Sequence, residues 1–157
     1  FFCRRQAVED LWHQADDFFA EDFFAYYEDL DTSLRLQWAG WQCLFVAAAV
    51  VYHKEGQTAK KFSALKVFWP NRNVCWVIIR NWPLIDILRN FHWLLLGQSG
   101  MVVNAFLRRG KLGWWAIKGK IEAMRGMSRA WHYRAAIQIN RSNWLRIKKL
   151  MIFKWRP

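Results

Sequence analysis

The chain has 157 residues, with twelve Trp, twelve Phe and 24 basic against 12 acidic side chains, for a formal charge of +12. That length suffices for one domain with its own core. Each indole, however, needs roughly 200 Å² of cover and a partner for its N–H. So many of them exclude an ordinary aliphatic core and point to apolar surface turned toward partners or a lipid interface.

The charges are sorted along the chain. Residues 1–52 hold nine acids and three bases, and residues 53–157 hold three acids and 21 bases, which implies two environments. Cys3, Cys43 and Cys75 form no C-x-x-C pair and no even framework, which excludes a zinc module and a disulfide scaffold. The chain opens Phe1-Phe2-Cys3-Arg4-Arg5 without Met, as a product trimmed of a targeting segment would.

In chain order, residues 1–33 read as an acidic amphipathic helix. Val8, Leu11, Trp12, Ala15, Phe18, Phe19, Phe23, Tyr26 and Leu30 recur at spacings of three and four, and acids fill the opposite face. Asp31-Thr32-Ser33 supply capping side chains for the next element. From Leu36 to Tyr52 no residue is charged; at 1.5 Å per residue this run covers roughly 25 Å, the short end of a bilayer crossing. Arg35 and Lys54 flank it, Trp38, Trp41 and Tyr52 mark its boundaries, and Gly40 and Ala47–Ala49 suit close helix packing. A transmembrane helix over 34–53 is therefore expected.

Residues 54–73 form a polar connector ended by Pro70. Residues 74–107 are expected to be interfacial apolar helices. Within them Val74–Ile79 is a short strand or a helical turn, Asn81 caps a helix with Pro83 in its first turn, and Gly97 and Gly100 break it. Residues 108–157 form a basic, Trp-rich extension, with a helix over about 121–139, weakened at Gly126, and a last basic helix through Lys154.

Little here suggests catalysis. Gly97-Gln98-Ser99-Gly100 misses the nucleophile-elbow pattern by one position, since Met stands at 101. His13, His53, His92 and His132 are scattered without ligand spacing, and no Gly-rich phosphate loop occurs. Asp86, an isolated acid in an apolar and basic region, is explained by an i, i+3 ion pair with Arg89 more simply than by a proton path. No enzymatic activity, metal or other cofactor is expected. Arg108, Arg109, Lys111, Lys118 and Lys120 around Trp114 and Trp115 are the candidate site, with cations for phosphates and indoles for the headgroup layer.

The expectation is an all-α, non-globular membrane subunit with one short transmembrane helix plus amphipathic helices. In layout, an acidic amphipathic helix, one short span and a basic Trp-rich extension, the chain resembles accessory subunits of mitochondrial inner-membrane complexes such as the ATP synthase membrane region or the respiratory complexes. The resemblance implies a scaffold that holds other subunits of a large complex and binds cardiolipin or another anionic phospholipid. The matrix would face the basic C-terminal region. The alternative is an RNA-binding protein of an organellar ribosome, its cations on phosphates and its indoles stacked on bases.

Overall fold

The computed structural model describes residues 3–15, 17–52, 63–136 and 141–151. Among these every regular element is helical: α1 (Arg5–Ala15), a 3-10 turn (Glu21–Phe23), α2 (Glu28–Trp38), α3 (Leu65–Asn81), α4 (Leu84–Arg89), α5 (Phe91–Arg109), a second 3-10 turn (Gly110–Gly113), α6 (Trp114–Arg125), α7 (Met127–Ala136) and α8 (Arg141–Met151). The all-α expectation holds. Helix α3 is the centre, touched by α2, α4, α5, α6 and α7.

The closest of these contacts is with α6, and small residues make it possible. Ala116, Gly119 and Ala123 recur at helical spacing and face α3. A Cβ on Gly119 would stand 2.6 Å from the carbonyl oxygen of Phe68, so the two backbones meet where no larger residue fits. Gly126, just beyond, makes room for the Trp76 ring. Buried Trp76 donates its indole N–H to the Ala123 carbonyl at 3.0 Å.

The expected single helix over 1–33 is instead α1, the 3-10 turn and α2. Phe24, Tyr26 and Tyr27 have φ of +60°, +69° and +72°, a region that costs bulky side chains energy and needs outside support. That support comes from α3. Asn73 gathers the carbonyls of Phe23, Ala25 and Tyr26 on its amide nitrogen, and Arg72 donates to those of Asp22 and Phe23. Carbonyls that would have closed helical turns thus bind α3. The expected cap Asp31-Thr32-Ser33 lies inside α2, where Asp31 and Thr32 are fully buried.

The expected transmembrane helix over 34–53 does not form. Helix α2 stops at Trp38, and Gly40 at φ +95° turns the chain. The Gly40 N–H bonds the Gln37 carbonyl and the Trp41 N–H bonds that of Leu36, while Leu36 and Trp41 pack in one cluster. This is the Schellman stop, and it needs the glycine. Residues 42–52 then run without helix or strand and exposed. No helix among the described residues is long and apolar enough to cross a membrane.

Further along, most of the connector 54–73 lies outside the described residues, but its end belongs to α3. Pro70 does not stop the element, because in the second turn it forgoes only the bond to the Lys66 carbonyl. Val74–Ile79 is helical within α3, and Asn81 ends that helix rather than capping α4. Gly97 and Gly100 pass through α5 unbroken, each costing only about 1 kcal/mol relative to Ala. Gly126 divides α6 from α7 where one helix was expected, and α8 is described only to Met151.

The acidic half is fixed to α3 by a buried charge cluster. Asp31 lies between Arg35, at 3.0 Å, and Arg80, at 3.3 Å, with the Asn81 amide at 2.8 Å. Arg35 also reaches Asp17 at 3.0 Å and the Phe18 carbonyl at 2.6 Å. Arg80, with the rings of Phe23 and Tyr133 beside it, has its guanidinium pKa pushed down by burial, which Asp31 opposes. At the far end, α8 brings Trp144 onto Trp38, stacked at 5.6 Å, and gives Asn143 and Arg146 to the last carbonyls of α2.

Two measurements check these contacts. Asp31→Asn leaves the buried Arg80 guanidinium without its carboxylate and Arg35 with Asp17 alone, and is expected to cost about 3–5 kcal/mol, read as a lowered urea midpoint at unchanged slope. Gly119→Ala is expected to lose about 1–3 kcal/mol through overpacking, although an exposed Gly→Ala change in a helix would stabilise.

Candidate functional site

Helix α5 is built the wrong way round for a free surface. Its inner face of Gln98, Met101, Val102 and Ala105 is short and partly polar. Its outer face carries Trp93, Leu96, Val103 and Leu107, exposed by 65, 60, 55 and 81%. With Gly100 these fall at successive spacings of three and four, one continuous stripe. Leu84, Ile85, Leu88 and Phe91 extend the exposed apolar surface onto α4 and the start of α5. An apolar stripe of this extent on the outside marks an interaction surface. Between Asp86 and Glu122 the sequence contains no acid.

The cations stand at one end of the stripe. Helix α5 ends in Arg108 and Arg109, and Gly110, at φ +53°, lets the chain turn through the second 3-10 segment into α6. Arg108, Arg109, Lys111 and Lys118 are exposed around this corner. Arg108 is oriented by Asn104 at 2.9 Å. Trp114 lies exposed against the edge of Phe106 at 5.5 Å, a packing that Gly113 admits by lacking a side chain.

Two of the seven expected site residues are used otherwise. Trp115 is half-buried, edge-on to Phe68, with the Lys118 ammonium 4.2 Å over its ring. Lys120 turns inward, its amine 2.9 Å from the Asn71 carbonyl, in contact with the Gln98 amide oxygen, and 3.8 Å from the Cys75 sulfur. Burial lowers the Lys120 pKa, and burial raises that of the Cys75 thiol despite the ammonium beside it. Lys120 is thus a strut between α3, α5 and α6. The stripe residues themselves went unread, because helical spacing shows that a face is apolar but not whether it points in or out.

The remaining candidates resolve similarly. Asp86 does not pair with Arg89; it accepts from Trp144 at 2.7 Å and from Lys148 at 2.9 Å, both on α8. Ser99 stands exposed in mid-helix. His92 and His132 lie exposed on different helices, the His13 side chain and His53 fall outside the described residues, and no group of three metal-binding side chains forms among the described residues. Trp155 also lies outside them.

The chain matches no family model, no curated protein and no solved structure.

Proposed function

We propose that the protein is a structural subunit that lies on an anionic membrane surface through the outer face of α4 and α5, with the cationic corner on lipid phosphates. The observation that carries this reading is the outward stripe Trp93, Leu96, Val103 and Leu107 ending at Arg108 and Arg109. An amphipathic helix in the interface plane buries its apolar face at the headgroup boundary and sets basic side chains on phosphate. Attachment is then peripheral, which replaces the spanning helix. The setting proposed is an energy-converting complex of the mitochondrial inner membrane, the ATP synthase membrane region or a respiratory complex. There the subunit scaffolds its neighbours from the matrix side and binds cardiolipin. Two features of the layout support that setting, the acidic N-terminal part and the basic, Trp-bearing part after it. The chain's role in this reading is to hold and position, without catalysis.

The test is flotation of the purified protein with vesicles of phosphatidylcholine, with or without cardiolipin. Binding is expected only with cardiolipin and should fall as salt rises. The triple change Arg108→Gln, Arg109→Gln, Lys111→Gln should weaken it roughly 100-fold, at about 1 kcal/mol per basic side chain. Leu107→Glu should weaken it through the apolar face. Lys120→Gln should leave vesicle affinity unchanged, because its amine faces inward. The endogenous protein should be released by alkaline carbonate. Indifference to cardiolipin, with salt-sensitive capture of ribosomal RNA lost in the triple variant, would favour the RNA-binding alternative.

A further inference from the structure

A second apolar surface lies away from α4 and α5, where the chain leaves α2. The arm 42–52 runs beside the start of α1 and the end of α2, and between them lies an open groove of about 800 Å³. Its walls are largely apolar, with Ala7 and Leu36 from the helices and Leu44, Phe45, Val46 and Val51 from the arm. No carboxylate lines it, and Arg4 is its one cation. The volume falls within the range of roughly 300–1,000 Å³ that small-molecule sites occupy. The arm otherwise stands in water, with Phe45 95% exposed, so an apolar occupant would cover what the fold leaves bare.

The polar end of the occupant follows from the charges. Of the two adjacent arginines, Arg5 is paired with Glu9 at 2.7 Å. Among the described residues the Arg4 guanidinium has no ion pair or hydrogen bond. Asp10, on the same helix, is also engaged, since its carboxylate accepts the Trp41 indole N–H at 3.0 Å. Helix α1 begins directly after Arg4, and the positive end of a helix adds to the attraction for an anion. A protein partner would bring its own backbone polar groups into a groove that offers them few matches. A hydrocarbon chain has none to satisfy.

We propose that this groove binds a long-chain fatty acid, its acyl chain along the arm and its carboxylate at Arg4. The site is independent of the membrane surface argued above, and either can fail alone.

The probe is cis-parinaric acid, whose fluorescence rises when its chain leaves water, titrated below its micelle concentration into the full chain. One saturable site is expected, displaced by oleate and much less by oleyl alcohol. Arg4→Gln should weaken binding at least fivefold. Ala49→Trp, an exposed wall position that fills the groove, should weaken it at least tenfold with an unchanged circular dichroism spectrum. Bound oleate should slow alkylation of Cys43, a wall residue with an exposed thiol, by iodoacetamide. The assignment is overturned by non-saturable uptake or by binding that both variants retain. It is equally overturned if oleyl alcohol competes as well as oleate, or if Leu107→Glu on α5 removes binding while Ala49→Trp does not.

Discussion

Asp31 sits with no solvent exposure between two buried arginines, and the acidic half of the chain takes its position from that contact. Such a cluster adds little net stability over an apolar one of the same shape, because removing charges from water costs nearly what their attraction returns. Its effect is specificity. Arg35 ties α2 to the segment at Asp17 and Phe18, and Arg80 with Asn81 ties the same carboxylate to α3. The Arg80 Nε, 3.3 Å from the carboxylate, makes no directed hydrogen bond, so that contact is one of charge. Any shift of α2 along α3 would strand at least one buried ion.

A chain with few acids in its basic half must satisfy its inward-turning cations another way, and it uses backbone carbonyls. Arg72 lies between the rings of Trp69 and Trp76, each 4.2 Å away, and donates to the turn before α2. Burial lowers its pKa to about 10, which leaves it charged at neutral pH. Arg134 takes the carbonyls of Ile79 and Trp82 at the end of α3, Arg146 those at the end of α2, and Lys120 that of Asn71. The last carbonyls of a helix are unsatisfied and carry partial negative charge, so cations suit them as acids would. Part of the +12 is therefore internal structure. The exposed remainder at the α5–α6 corner is what a phosphate-bearing surface can meet.

Composition and period were enough to read the all-helical class. Arg108, Arg109, Lys111, Trp114 and Lys118 stand exposed where they were sought. What misled was local chemistry read with the wrong weight. The run from Leu36 to Tyr52 looks like a span by charge alone, but Trp38-Ala39-Gly40-Trp41 carries a glycine helix stop with an apolar residue after it. Ala116, Gly119 and Ala123 were a legible packing stripe that the basic composition around them obscured. Arg72-Asn73 and Arg80-Asn81 looked like polar interruptions; their partners are carbonyls and a carboxylate 47 to 50 residues away, a distance no periodicity encodes. The burial of Trp38, Trp76 and Trp144 follows the same logic, since each indole N–H finds a distant acceptor.

The seal that α8 places on α2 has a consequence for how the protein is made. Gln37 and Trp38 leave the ribosome more than a hundred residues before Arg146 and Asn143, and synthesis proceeds at about 5–20 residues per second. For several seconds, therefore, α2 has a frayed end and the Trp38 ring lacks Trp144. The uncharged arm of residues 42–52 is exposed throughout that interval. A nascent chain in this state presents the kind of surface that holding chaperones bind. A ribosome stalled between α3 and α8 would release a product whose first third had formed but never closed.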